Sequence, residues 1–325
     1  MLTTRRNFFS KAALATCAAG SITASLVFAD FAPIKRVGGP LLLPALNAFS
    51  FLELFYARAK DPTQGVDLLQ VCDFAAKQNL NAIDLTGYFF PGYPKAPDDG
   101  YLYALKKRTH DLGLAISGTG VRNDFTAADK AVRAAGTQII KEWVEVAAKL
   151  GAPSVRVFAD SQKPFKDWKE ASGNATHDAV ETWMADALRE CAEYGKKFGI
   201  LIAVQNHGDF IATGAEHLSL LKRVDHDWCG ALVDTGKYLS EDAYADIALM
   251  APYALNWQIK ENMRSRTDSP RTDFKKLVAI IRESGYRGFL PIETLSMRRK
   301  DYDPFVEVAK VAAELREAIA AAEMK

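Results

Sequence analysis

After Pro44 the chain alternates between short apolar, β-prone runs and longer amphipathic stretches, and this alternation is its strongest constraint on fold. The apolar runs predict strands over Ala45–Phe51, Ala82–Thr86, Leu114–Thr119, Ser154–Ala159, Leu201–Asn206, Gly230–Asp234, Ala254–Lys260 and Phe289–Glu293. Helical patterns lie between and after them, at Val66–Lys77, Gly100–Leu112, Ala131–Leu150, Asp178–Phe198, Ala215–Val224, Glu241–Ala251, Asp273–Ser284 and Pro304–Glu323. Gly113, Gly151, Gly199 and Gly285 stand where helices can end on a left-handed residue. Eight β-then-α units in a chain of 325 residues favour a closed (β/α)8 TIM barrel of the α/β class over an open sheet. Runs such as Ile200–Val204 are apolar throughout, as strands covered on both faces require. No glycine-rich dinucleotide fingerprint follows the first strand, which argues against a Rossmann arrangement. No linker or repeat interrupts the pattern, so a single domain over residues 30–325 is expected.

The first 29 residues read as an address. Arg5-Arg6 is followed by Phe8, Phe9 and Lys11, then by an alanine-rich, mildly apolar stretch to about Phe28, with a cleavage expected after Ala29. The segment resembles a twin-arginine export signal and implies a periplasmic protein. Beyond it no apolar run approaches the roughly 20 residues needed to cross a bilayer, so no membrane partner is expected after signal removal. The 41 Lys+Arg balance 40 Asp+Glu, which leaves no general attraction for nucleic acid. Cys72, Cys191 and Cys229 lie in apolar contexts without a C-x-x-C pair and read as buried thiols.

In such a barrel, chemistry gathers at the C-terminal ends of the strands. Those ends carry Asn47, Asp84, Thr86, Ser117, Thr119, Arg156, Asp160, Gln205, Asn206, His207, Asp234, Asn256, Gln258, Lys260 and Glu293. Polar groups inside strands are costly unless paired, bound or facing a cleft. If Gln205, Asp234, Gln258 and Glu293 all point inward, two carboxylates and two amides converge. Those are hard oxygen donors suited to Mn2+ or Mg2+.

The runs Val204-Gln205-Asn206-His207-Gly208, Leu232-Val233-Asp234-Thr235-Gly236, Asn256-Trp257-Gln258-Ile259-Lys260-Glu261 and Leu290-Pro291-Ile292-Glu293 occur in this order. Together they resemble the xylose-isomerase-like TIM-barrel superfamily of sugar isomerases and epimerases. The resemblance implies a divalent metal held by Glu, Asp, His and Glu on strands 5 to 8. Asp234 and Glu293 match; Gln205 replaces the first Glu and Gln258 the His. It further implies proton transfer alpha to a carbonyl by the glutamates of strands 5 and 8, of which only Glu293 remains.

His207, two residues after Gln205 on an extended strand, is the candidate second acid/base. Lys260 could stabilise an oxyanion, or simply pair with Glu293 or Glu261. Arg156, Asn206, Lys237, Arg264 and Tyr88 are candidate substrate contacts; Lys237 equally suits a surface role, and the run Arg264, Arg266 and Arg271 suits a solvated basic loop better than a phosphate site. Trp257 alternates out of phase with Gln258 and should pack against helices. His110, His177, His217 and His226 read as structural or exposed. The expected function is a metal-assisted sugar or keto-sugar isomerase or epimerase with a small carbohydrate substrate, in a chain that could self-associate. A keto-glycoside lyase or hydrolase on the same site, and a non-catalytic periplasmic sugar-binding barrel, are the alternatives. A nuclease is disfavoured, because the four barrel positions hold no histidine and the chain is not basic.

Overall fold

The computed structural model describes residues 31–263, 269–296, 299 and 301–324. Eight parallel strands close into a barrel in sequence order: β1 Leu41–Asn47, β2 Ala82–Thr86, β3 Ala115–Gly120, β4 Ser154–Phe158, β5 Leu201–Gln205, β6 Cys229–Asp234, β7 Ala254–Lys260 and β8 Arg287–Glu293. The helices among the described residues are α1 Leu52–Lys60, α2 Leu68–Lys77, α3 Asp99–Asp111, α4 Lys130–Leu150, α5 Trp168–Ala171, α6 His177–Phe198, α7 Gly214–Val224, α8 Ala243–Met250, α9 Phe274–Glu283 and α10 Pro304–Glu323. Residues Phe31–Lys325 form one compact unit, and the TIM barrel expected from the alternation is the observed fold. None of the described helices is long and apolar enough to cross a membrane.

Local chemistry explains most boundaries. Side chains of Asp67, Asp98, Thr176 and Thr213 accept from the first-turn amides of α2, α3, α6 and α7, relieving orphaned N–H groups. Gly151 and Gly199 end α4 and α6 at φ 82° and 70°, a conformation a Cβ disfavours.

The largest difference from the sequence expectation lies at β1, which begins at Leu41 and stops at Asn47 rather than running to Phe51. The Asn47 side chain accepts from Phe49 N–H at 2.8 Å and turns the chain into a 3-10 turn over Ala48–Phe51, leading to α1. Pro44 sits inside β1, but β1 pairs with β2 only at Leu46 and Asn47; Pro291 in β8 likewise precedes the Ile292 and Glu293 pairing with β7. Neither proline therefore faces a full ladder on both sides. The core between barrel and helices is apolar and includes the three free, buried cysteines. Trp257 is fully buried there and meets Tyr286 edge-on, as its alternation predicts.

Candidate active site

The mouth at the strand C-termini brings together the four side chains expected to converge. Gln205 Nε2 donates to Asp234 Oδ2 at 2.9 Å and to Gln258 Oε1 at 2.6 Å. Lys260 joins them: its ammonium donates to Glu293 and lies 3.5 Å from Asp234 Oδ2. The pairing of Lys260 with Glu293 is one of the readings the sequence left open; its reach to Asp234 is new. All of these residues are buried, with Asp234 at 0%, Lys260 at 4% and Glu293 at 5% exposure. Burial pushes the Asp234 carboxyl above its usual range. Burial alone would lower Lys260, yet Asp234 and Glu293 outweigh it and hold the ammonium more basic than usual.

A divalent ion needs oxygen lone pairs converging on open space. Here Gln205 presents an amide N–H to the centre of the set, and its Oε1 is buried without a partner. Turning that amide over would still leave the Lys260 ammonium on both carboxylates. The set then carries two negative charges against one resident positive charge, and two neutral amides stand where the family pattern implies Glu and His. Among the described residues no cluster of three or more His, Cys, Asp or Glu is arranged to hold a metal. With the Lys260 ammonium on both carboxylates, Gln205, Asp234, Gln258 and Glu293, the expected Mn2+ or Mg2+ ligands, do come together but as placed do not fit a divalent cation.

The open part of the mouth is a cavity of about 100 Å³ lined by Phe49, Thr86, Tyr88, Arg122, Arg156, Phe158, Gln205, His207, Gln258 and Glu293. His207 Nδ1 meets Asp160 Oδ2 at 2.7 Å, which leaves Nε2 as the nitrogen available to the cavity. Its partner is placed by the loop after β5. Gly208 turns that loop at φ 90°, and Asp209 accepts from Ser161 N at 2.9 Å, Ser161 Oγ at 2.6 Å and Trp168 N at 3.0 Å. The β4 and β5 loops are thereby tied, and Asp160 is held against the imidazole. Partial burial, then the neighbouring Lys237, holds His207 below its usual 6.5 and favours the neutral ring, while its side chain stays 38% exposed. Burial, then Asp209, raises the Asp160 carboxyl.

Arg156 donates to Val121 O at 2.8 Å and to the Tyr88 hydroxyl, and its guanidinium lies 4.2 Å from the Phe158 ring centroid. Arg122 covers the other face of the cluster, 4.4 Å from the Tyr88 centroid. Arg122 also borders a neighbouring groove of about 820 Å³ that runs along α4 past Asn123, Gln138 and Gln162. Both long cations rest on missing side chains. A Cβ on Gly120 would come 2.8 Å from Arg156 Nε, and one on Gly236 would come 2.8 Å from Lys260 Cγ. Beneath the mouth, Asn256 donates to Asp84 at 3.1 Å, and burial pushes Asp84 up to about 6.

Of the expected substrate contacts, Arg156 and Tyr88 line the cavity. Asn206 does not: it is fully buried, donating to Asp234 O at 2.9 Å and accepting from Asp234 N at 2.8 Å. Both ends of its amide are needed to clip β5 to β6, so its expected role is corrected to a structural one. Lys237 lines a separate small cavity with Gly236, Lys260 and Asn262 instead of the main one. Lys260, expected to be catalytic, borders that small cavity while its ammonium is paired with Glu293 of the mouth. Arg264 and Arg266 lie outside the described residues, while Arg271 pairs with Glu314 at 2.6 Å. His217 is buried between Tyr238 OH and Val204 O at 2.9 and 3.0 Å, His177 stacks on Phe210, and His226 pairs with Glu193, as structural histidines. The sequence did not single out Arg122 or the partnership of Asp160 with His207. Asp160 is visible at the end of β4, but nothing local points across 47 residues to its imidazole.

Comparison with known proteins agrees with the barrel fold. A Xylose Isomerase domain protein from Alicyclobacillus acidocaldarius superposes with a TM-score of 0.65 at 16% identity, covering 87% of this chain and 99% of its own. D-psicose 3-epimerase from Clostridium cellulolyticum H10, solved with D-tagatose, gives 0.67 at 14%, covering 85% and 99%. The 3-keto-D-glucoside 4-epimerase from E. coli gives 0.64 at 14%, covering 86% and 99%. At these identities the likeness shows the shared barrel. Residues 72–322 match the family described as xylose isomerase-like TIM barrel, and with that match across most of its length the chain belongs to this family.

Proposed function

We propose that the protein is a sugar or keto-sugar isomerase or epimerase that moves a proton on the carbon next to a carbonyl, with His207 as its acid/base. The observation that carries this reading is the Asp160–His207 pair opening onto a cavity that Arg156 and Arg122 also line. In this reading Nδ1–H donates to Asp160, and neutral Nε2 takes the α-proton. The electron pair passes to the carbonyl oxygen. Arg156, already anchored through Val121 O and Tyr88, offers its remaining N–H groups to that oxygen. The α-hydroxyl gives its proton to that oxygen, and return of the carbon-bound proton from His207 to the former carbonyl carbon completes isomerisation. Gln258, whose Oε1 already takes the Gln205 amide, orients a substrate hydroxyl through its own amide N–H. Relatives named as sugar epimerases support the substrate class. Export by the twin-arginine-like segment, which lies outside the described residues, would place this chemistry in the periplasm.

One observation favours a second outcome on the same site. Glu293 is tied to Lys260, so His207 is the less encumbered base of the pair. A one-base site suits elimination of a leaving group beta to the carbonyl of a keto-glycoside, which needs no second base on the opposite face. The test is incubation of the protein with ketoses and keto-glycosides in D2O. Deuterium next to the carbonyl without cleavage supports isomerisation or epimerisation, and release of the aglycone supports elimination. His207→Gln should slow either by about 10²–10⁴-fold with the fold intact. Binding of these sugars with neither exchange nor cleavage would replace the enzyme by a sugar-binding barrel.

A further inference from the structure

We propose that the Lys260 ammonium is the resident cation of this barrel mouth, holding the two carboxylates a divalent ion would otherwise bridge, so that the native chain takes up no Mn2+ or Mg2+ there.

Asp234 and Glu293 come from different strands and are buried within reach of one another's charge. Two such carboxylates in a low dielectric repel strongly unless a cation lies between them. Lys260 supplies that cation from β7, two residues beyond Gln258. Its stem lies over Gly236, where a Cβ would come 2.8 Å from Cγ and 2.9 Å from Asn262 O, so the backbone leaves a channel of one side chain's width. Both ends of its peptide are fixed as well: its N–H donates to Thr235 Oγ1 at 3.0 Å, and its carbonyl accepts from Thr272 Oγ1 at 2.8 Å. A lysine held in this way cannot swing out to admit an ion at little cost.

The amides fit the same arrangement. A lysine contributes one positive charge where a metal contributes two, so the site balances only if some ligands are neutral. Gln205 and Gln258 are neutral, and Gln205 adds an N–H donor to Asp234 beside the Gly236 amide. The two glutamines and the lysine thus read as one coordinated replacement. Lys260 does not border the mouth cavity, whereas Gln205, Gln258 and Glu293 do. It is a positioning residue that fixes Glu293.

The inference is independent of the substrate. Chelator-stripped native protein, Lys260→Met and Lys260→Gln are titrated with Mn2+ alone, followed by the electron paramagnetic resonance of the free ion and by Tm. Native protein should bind no stoichiometric Mn2+ and keep its Tm. Either variant empties the position and leaves two carboxylates facing two amides. Each should then bind one Mn2+ per chain about 100-fold or more tighter than the native chain, with a Tm that rises on adding the ion. A variant that folds only when Mn2+ is present gives the same answer. One tightly bound Mn2+ on the native chain, lost in Glu293→Gln, would overturn the inference. So would variants that stay indifferent to Mn2+.

Discussion

The two halves of the barrel mouth differ in how their polar groups are satisfied. On β6, β7 and β8, Asp234, Lys260 and Glu293 form a closed ionic set, with the Gln205 amide turned toward it. On β2 to β5, Tyr88, Arg156 and His207 line the cavity; the Tyr88 hydroxyl is taken by Val121 O and Arg156, while His207 Nε2 and the remaining Arg156 N–H groups are left for a ligand. The first half resembles a keystone, stable because its charges cancel. The second resembles a working surface, where residual capacity awaits a ligand. Residues that look catalytic by position therefore divide into those that hold the mouth and those that face it.

The sharpest way to break this contrast is to remove the positive charge from the closed half. Lys260→Met strands two buried carboxylates and should cost about 3–5 kcal/mol in urea unfolding without added metal. A loss below about 1 kcal/mol would mean the set is not closed by Lys260. A smaller effect is expected at the strut beneath it. His217 bonds Val204 O, next to Gln205, and burial lowers it from 6.5 to about 4. The unfolded chain takes up this proton first as pH falls. Stability should therefore decline from about pH 6.5 to pH 4, by about 3 kcal/mol in all. Asp84, raised to about 6, works in the opposite sense over part of that range. The His217 share is thus read as the difference in pH slope between the native chain and His217→Gln. Equal slopes would contradict a neutral, buried strut. The smallest effect belongs to the open half. Tyr88→Phe removes one partner of Arg156, whose freed N–H faces the cavity, and should cost about 1–2 kcal/mol or less in stability while raising KM for the sugar. A loss as large as that of Lys260→Met would show that the open half is as locked as the other.

How much of this could be read from the chain follows the same division. The eight strands are legible because both faces are covered, so each is an apolar run with its polar residue at the end. The closed half is legible because its residues lie in short motifs on consecutive strands. What escaped is the direction of bonds. Asn206 looks like a substrate contact until its amide is seen to bridge the Asp234 backbone. Lys260 has two possible acidic partners in the sequence reading, Glu293 and Glu261, and only the barrel's closure selects Glu293 and adds Asp234. The open half was least legible, since Asp160 reaches His207 through a loop that Asp209 organises, and Arg122 lies past the end of β3 with no strand pattern to mark it. The end of β1 was misplaced because one hydrogen bond accepted by the Asn47 side chain overrides the mostly apolar run Ala48–Phe51 that would otherwise extend the strand.

Gly120 and Gly236 give the mouth an adjustable electrostatics. Each is the mould against which a neighbouring long cation is cast. A single methyl at Gly120 would tilt the Arg156 guanidinium away from Tyr88, and one at Gly236 would lift Lys260 off its carboxylates. The field over the substrate could thus be retuned with every charged residue left in place, by changes that a comparison of charged positions alone would never register.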